Sequence, residues 1–296
     1  MNYRILHRTV YDYSAPVTVS HHAARLNPRL TASQPRADFA LEISPAPAVR
    51  TMHTDYFGNE VCFFSVQQIH RRLEITASSR VTVNRVTQPE LALSPEWKKV
   101  AALFREKAAA ETAGLHQFRF DSPLLRASPE LVAYALPSFG GDTPLLAGAQ
   151  DLNRRIFADF KYDPSATTVA TPMEEAWRNR RGVCQDFAHL AIACVRSLGL
   201  PARYVSGYLR TRPAPGRARW TGADATHAWF SVFCPGVGWV DFDPTNNLMP
   251  GEEHITVAYG RDFSDVSPVS GILVGGGAHH AIKVAVDVQE IEERRP

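Results

Sequence analysis

A cysteine in the second half of the chain lies where a helix could activate it. Cys184 follows a Gly-Val pair and precedes mostly apolar and small residues up to Leu200, a pattern that predicts a helix beginning at the cysteine. A helix N-terminus carries partial positive charge and free N–H groups, which can lower a thiol pKa from about 8.5 to roughly 3.5–7.5. Cys184 is therefore a candidate nucleophile, and its own N–H could hold an oxyanion.

A nucleophilic thiol also needs a base and a group that orients the base. His227 opens a strand-like segment and is the candidate base. Asp243 and Asp241 lie on the next predicted strand, and Asp243 is the better orienting group because Asp241 lies two residues farther from His227. His189, five residues past Cys184, points to a different helix face and is not expected to be the base.

The register of the predicted hairpin decides whether the histidine and the carboxylate can meet. If Cys234 paired with Trp239 across the Pro-Gly-Val-Gly turn, Asp243 would project from the sheet face opposite His227. A shift of one residue puts Asp243 opposite Trp229, on the same face as the histidine. The two residues are then diagonal neighbours, roughly 7–8 Å apart between Cα atoms. We therefore predict an irregular hairpin.

Two segments around these residues resemble a known family. RGVCQDFAHL (181–190) and THAWFSVFCPGVGWVDFDPTNN (226–247) are similar to the core of the bacterial transglutaminase-like superfamily of cysteine proteins. YRILHRTVYDYSAPV (3–17) and ARLNPR (24–29) resemble the β-rich region that precedes this core in many bacterial members. The resemblance implies a papain-like core in which Cys184 is the nucleophile, His227 the general base and acid, and Asp243 the orienting carboxylate.

For each of the remaining candidate functional residues, a structural role is at least as good an interpretation as a role in binding or chemistry. Four side chains could bind substrate, although core packing or solvent exposure accounts for each of them as well: Gln185, Trp177, Tyr162 and Trp229. The other cysteines (62, 194 and 234) lie in apolar segments and are expected to pack as small hydrophobic residues. A zinc site needs ligands paired at short spacing, which the cysteines and histidines do not offer, so neither a metal nor a cofactor is expected.

The order of the predicted elements indicates an α+β protein. Short strands and turns over residues 1–90 predict a small β-sandwich-like domain. Helical patterns and then strands follow, which places a papain-like, transglutaminase-like core over residues 91–296. Two further strands are predicted near the C-terminus, over 272–274 and 281–288.

Composition narrows the choice of partners. The chain has 296 residues, 45% of them apolar, and a formal charge of +2, which gives no reason to expect nucleic acid or an anionic membrane as a partner. No apolar run approaches the ~20 residues that span a bilayer. Charged residues and a histidine interrupt the first residues, so a signal peptide is not expected and the protein is predicted to be cytoplasmic.

The sequence thus predicts a thiol enzyme acting on peptide or protein amide bonds. We expect a peptidase or amidase that forms a thioester acyl-enzyme on Cys184. The same residues would serve a protein-glutamine transamidase, in which an amine replaces water as the acyl acceptor. A non-catalytic binding protein on the same fold is the third alternative, and loss of one of the three residues would be its signature.

Overall fold

The computed structural model describes residues 1–106, 110–211 and 225–291. Its strands are β1 Asn2–Ala24, β2 Arg36–Ser44, β3 Val49–Thr54, β4 Glu60–Val66, β5 His70–Thr82, β6 Lys161–Tyr162, β7 Arg181–Gly182, β8 Ala202–Leu209, β9 Ala225–Cys234, β10 Gly238–Phe242, β11 His254–Gly260, β12 Val269–Gly275 and β13 His280–Glu290. Its α-helices are α1 Trp97–Arg105, α2 Pro129–Ala135, α3 Leu145–Asp159, α4 Met173–Asn179, α5 Cys184–Ser197 and α6 Phe263–Val266. Two 3₁₀ helices cover Leu91–Leu93 and Ala110–Arg119. The α+β prediction is confirmed.

One long strand organises the N-terminal sheet, which is antiparallel and seven-stranded. β1 alternates buried and less buried residues along its first half, as a strand with one packed face does. It pairs with β5 and β13 over that half, and with β4 and β12 over the second half. The two predicted C-terminal strands therefore exist and join the N-terminal sheet, while the division at residue 90 stays a prediction.

The second sheet has four antiparallel strands in the order β10-β9-β8-β11, and α5 packs on it. Every residue from 185 to 196 of this helix is buried, which agrees with its nearly uninterrupted apolar and small composition. Side chains of the N-terminal sheet, including Ile5 and Val288, share a core with Phe187 of α5 and Phe230 of β9. The two sheets are thus held against one another by common apolar contacts.

Buried polar contacts fix the end of α5. Gly199 adopts a φ of 81°, the left-handed conformation that commonly follows a helix, and its N–H donates to the Arg196 carbonyl over 2.8 Å. The buried Arg196 guanidinium donates to the carbonyl oxygens of Ala202, Arg261 and Phe120. The helix end is therefore tied to β8 and to the segment after β11.

In the described ranges, no helix has both the length and the apolar character that crossing a bilayer requires.

Gly207 lies at the crowded centre of this second sheet. It is paired with His227 on one side and with Thr256 on the other. A Cβ at position 207 would come within 2.5 Å of the Trp229 ring and closer still to the Ile255 carbonyl oxygen. Backbone on one side and a fully buried indole on the other leave no room for a methyl group.

We predict that Gly207→Ala destabilises the protein by about 2 kcal/mol or more, because overpacking a rigid interior is costly. Gly251→Ala is the control, since a Cβ there meets nothing within 4 Å, and its stability should stay within about 0.5 kcal/mol of wild type. Denaturant unfolding of the three proteins measures both changes. Equal stabilities would show that the strands relax around the added methyl.

Candidate active site

Cys184 is the first residue of α5, as the sequence predicts. The Asp186 carboxylate accepts hydrogen bonds from the Val183 N–H over 2.8 Å and from Thr167 Oγ1 over 2.6 Å, which fixes the chain where it enters the helix. A Cβ at Gly182 would lie 2.6 Å from the Asp186 carboxylate, so a glycine is needed there. The thiol itself is partly buried, at the helix end where partial positive charge is greatest.

The hairpin that carries the other two residues has the shifted register that we predicted. Cys234 pairs with Gly238, and Phe230 pairs with Phe242, so the connecting loop has one residue fewer than a Cys234–Trp239 pairing would leave. Asp243 therefore projects on the same face as His227, and His227 Nε2 lies 2.7 Å from Asp243 Oδ2. The structure brings these two side chains together as expected.

Asp243 is fully buried and accepts an unusually complete set of hydrogen bonds. Its Oδ1 accepts from the N–H groups of Thr245 and Asn246, over 2.9 and 3.2 Å. Its Oδ2 accepts from Asn246 Nδ2 over 2.7 Å and lies 3.1 Å from His254 Nε2, besides its contact with His227. Burial alone would raise the pKa of Asp243, but these donors hold it well below its usual range.

His227 is placed to be a cation at neutral pH. Burial alone would lower its pKa, but the hydrogen bonds and charges of Asp243 and Cys184 raise it to about 10. Since Nε2 is directed at Asp243, Nδ1 is the ring nitrogen left for the contact with the thiol.

Sequence reasoning missed two of the groups on Asp243. Asn246 lies three residues on, and the Asp-Pro-Thr-Asn run is a turn signal that could have identified it. His254 comes from β11, and nothing local links it to Asp243.

His227, Asp243 and His254 are the one group of three potential metal-ligand atoms found within the described parts of the chain, all within 4.8 Å of one another. Hydrogen bonds from both rings to one carboxylate oxygen account for this geometry.

The thiol and His227 open into a cleft of about 350 Å³. One side of the cleft comes from α5 and from strands β8 and β9, and includes Gln185, Tyr204 and Ala228. The N-terminal sheet supplies the other side, which was not foreseen: Thr9, Tyr11, Ile282 and Val284 line it. Strands from both ends of the chain therefore contribute to the wall that faces the cysteine.

Two of the four predicted substrate-binding residues lie near the thiol. Gln185 is buried and lines the cleft. Tyr162 is half exposed and is held by the pairing of β6 with β7, where it is the partner of Gly182. Burial, and then the charge of Cys184, raise the pKa of Tyr162.

The structure does not bring the two tryptophans into the cleft lining. Trp229 is fully buried behind the His227 ring, and its indole N–H donates to Asp241 over 3.0 Å. Trp177 packs against the Arg180 guanidinium, whose Cζ lies 3.9 Å from the ring centre, and meets the Tyr134 ring edge to face. Each indole has a polar or aromatic partner away from the thiol, so both tryptophans contribute to packing.

The other predicted packing residues are buried. The three further cysteines are free thiols with almost no exposed surface, and burial raises the pKa of Cys194 to about 12. His189 is buried and accepts from the Phe263 N–H, and burial lowers its pKa to about 4. These groups are inert in the geometry of the site.

Comparison with known proteins agrees with the fold described above. Residues 133–244 match the transglutaminase-like superfamily, and residues 3–82 match the bacterial transglutaminase-like N-terminal region. The crystal structure of a proposed cysteine protease from Cytophaga hutchinsonii covers 99% of this chain and 92% of its own, with a TM-score of 0.71 at 21% identity. A helix-borne cysteine packed on an antiparallel sheet that carries His227 and Asp243 defines the fold class.

Relatives at the sequence level establish the family. An uncharacterized protein of Mycobacterium tuberculosis is 41% identical over 304 residues, covering 98% of this chain and 93% of its own length. A protein-glutamine gamma-glutamyltransferase of Pseudomonas aeruginosa is 31% identical over 113 residues, which are 35% of this chain and 17% of that protein. The chain belongs to the transglutaminase-like superfamily, as its sequence motifs indicated.

We predict that Asp243→Asn lowers the pKa of His227 by about one to three pH units, because the variant loses the carboxylate charge. An NMR titration of the imidazole measures this without any substrate. A raised pKa stabilises the folded state fully below the ordinary value of 6.5, and this contribution is lost as the pH rises through about 10. The variant should therefore lose part of its stability near neutral pH.

Asp241→Asn is the matched control for that titration. Asp241 is two residues earlier and bonds to Trp229 and Ser231 instead of His227. The pKa of His227 should stay near 10 in this variant. An unchanged pKa in Asp243→Asn would contradict the assignment of Asp243 as the main source of the shift.

Proposed function

We propose that this protein is a cysteine-dependent amide-bond enzyme, and more narrowly a peptidase or amidase. One observation carries the proposal: an imidazolium held by a buried carboxylate lies beside a thiol at a helix N-terminus. That combination supplies a nucleophile, a proton donor and a fixed orientation in one place. Cys184 is the nucleophile, His227 is the proton donor, and Asp243 fixes the orientation of the imidazole.

The reaction follows from the positions of the groups. The Cys184 thiolate forms a bond to the amide carbon, and the carbonyl electron pair moves to oxygen, where the Cys184 N–H stabilises it. When the pair returns, the C–N bond breaks and the amine leaves with the proton from His227. Water then attacks the thioester and gives a proton to His227, which releases the acid and regenerates the thiolate.

The chemistry of the wall indicates the kind of acyl group. Ile282 and Val284 are about half exposed, with 52% and 53% of their surface accessible, although they are aliphatic residues that line a cleft beside a reactive thiol. Apolar surface of this kind in a concave site is typical of ligand binding. We propose that these side chains contact an apolar residue of a peptide substrate near the bond to be cleaved.

Transamidation is the second candidate, since the same thioester reacts with an amine as readily as with water when an amine is bound. The local similarity to the Pseudomonas gamma-glutamyltransferase favours it. Hydrolysis needs no second binding site, because water reaches the thioester without being recognised, and we prefer it for that reason. A non-catalytic binding protein would not need to retain a buried carboxylate and two further groups in register.

We predict that wild-type enzyme cleaves members of a quenched fluorescent peptide library and that Cys184→Ala cleaves none. The library is also offered with a labelled primary amine, and the products are identified by mass. Free acids as the main products support hydrolysis, whereas amine adducts as the main products support the transamidase. If neither product forms while Cys184 still reacts with iodoacetamide, the binding-protein alternative is favoured.

We predict that Val284→Asp raises KM for apolar peptides about tenfold or more, because a lost aliphatic contact and a buried charge both oppose binding. Val274→Asp is the matched control, since Val274 is also an exposed valine of a C-terminal strand but does not line the cleft. Steady-state kinetics on one good peptide measure both variants. Equal KM values for the two variants would show that β13 is not part of the binding site.

A further inference from the structure

Tyr204 has a hydroxyl group for which the described residues supply no hydrogen-bond partner. It lies on β8, its side chain is 2% exposed, and it lines the same cleft as Cys184. Among the described residues its hydroxyl makes no hydrogen bond to side chain or backbone. A hydroxyl that borders a cleft and has no partner within the described ranges is available to a molecule bound in that cleft.

Tyr208 is a useful comparison because it lies four residues farther along the same strand and is equally buried. Its hydroxyl lies 3.0 Å from His7 Nδ1 of β1 and is therefore paired. Of these two tyrosine hydroxyls, one thus has a protein partner and the other has none in the part of the chain that the structure describes. The difference is that the unpaired hydroxyl borders the cleft, where a bound molecule could supply the missing contact.

The cleft that Tyr204 lines also contains Cys184, whose charge acts on the phenol. Burial raises the pKa of Tyr204 well above its ordinary value, and the charge of Cys184 raises it further. The phenol therefore remains protonated at neutral pH. A protonated hydroxyl near the nucleophile can donate a hydrogen bond to negative charge that develops when the thiolate attacks.

We propose that the Tyr204 hydroxyl is the second oxyanion donor, acting beside the Cys184 N–H. This inference rests on the proposed function. As the bond from sulfur to the amide carbon forms, the carbonyl electron pair moves to oxygen, and Tyr204 donates a hydrogen bond to it while keeping its proton. When the pair returns and the C–N bond breaks, the hydrogen bond reverts to one with a neutral carbonyl, so Tyr204 stabilises the transition state more than the ground state.

Two other groups near the thiol are rival donors. The Gln185 side chain is buried in the same cleft. Tyr162 pairs with Gly182, two residues before the cysteine, but its side chain is half exposed. Water competes for the exposed hydroxyl, which weakens its claim. Gln185→Leu and Tyr162→Phe therefore belong in the test together with Tyr204→Phe.

The test compares Tyr204→Phe with Tyr208→Phe on a peptide that the wild type cleaves. We expect Tyr204→Phe to lower kcat about 10²–10³-fold, as loss of one oxyanion donor does, with KM changed less than threefold and thermal stability not reduced. Tyr208→Phe should instead lower the melting temperature, because it leaves His7 without its partner, and keep kcat within about threefold of wild type.

Several outcomes would overturn the inference. A kcat for Tyr204→Phe within threefold of wild type would do so, as would a loss confined to KM. A larger loss of kcat in Gln185→Leu or Tyr162→Phe would assign the donor to that residue instead. If the wild type forms an acyl-enzyme and Tyr204→Phe forms it at the same rate, only this inference fails. If the wild type forms none, the proposed function fails together with it.

Discussion

The site depends on one buried negative charge. The Asp243 carboxylate has no exposed surface, and an isolated charge in such a position would be costly by several kcal/mol. It is stabilised by donors from three parts of the chain: the turn that follows it, His227 of β9 and His254 of β11. The same charge that these groups stabilise is what keeps His227 protonated, so the stability of the sheet and the state of the imidazole have a common origin.

The shared oxygen gives His254 a defined structural role. The imidazole rings of His227 and His254 both hydrogen-bond to Asp243 Oδ2. The indole of Trp229 packs against both of these rings. Asp241, one step along the same strand face, holds that indole through its N–H. The His227 ring is therefore fixed from behind by aromatic packing and from one side by the carboxylate, which leaves only the direction of Cys184 open to it.

The N-terminal sheet belongs to the site as much as the second sheet does. Ile5 near the start of β1 and Val288 near the end of β13 are buried in the core that also contains Phe187 and Phe230. Other residues of the same two strands form the wall of the cleft. The C-terminal strands thus connect the substrate side of the cleft with the β1 scaffold.

Local sequence signals were sufficient to predict the helix that begins at Cys184. The shift in the β9–β10 hairpin was predicted from the requirement that His227 and Asp243 lie on one face, since the turn residues alone allowed either register. Local signals were also sufficient for the α+β class. They could not predict His254 on Asp243, the β13 wall or the unpaired Tyr204 hydroxyl, because each depends on how distant strands pair. Trp177 and Trp229 show the opposite limit: an aromatic residue near a site in sequence still packs wherever its ring finds partners.

The most direct test of the account is to trap the acyl-enzyme from cleavable peptides by rapid acid quench and to locate the adduct by intact mass and peptide mapping. The account predicts one thioester per chain, on Cys184, which forms faster than it is hydrolysed when the peptide is activated. A protein that turns over peptides without any adduct, or with the acyl group on another residue, would contradict the claim that the Cys184 thiolate, paired with His227, is the nucleophile.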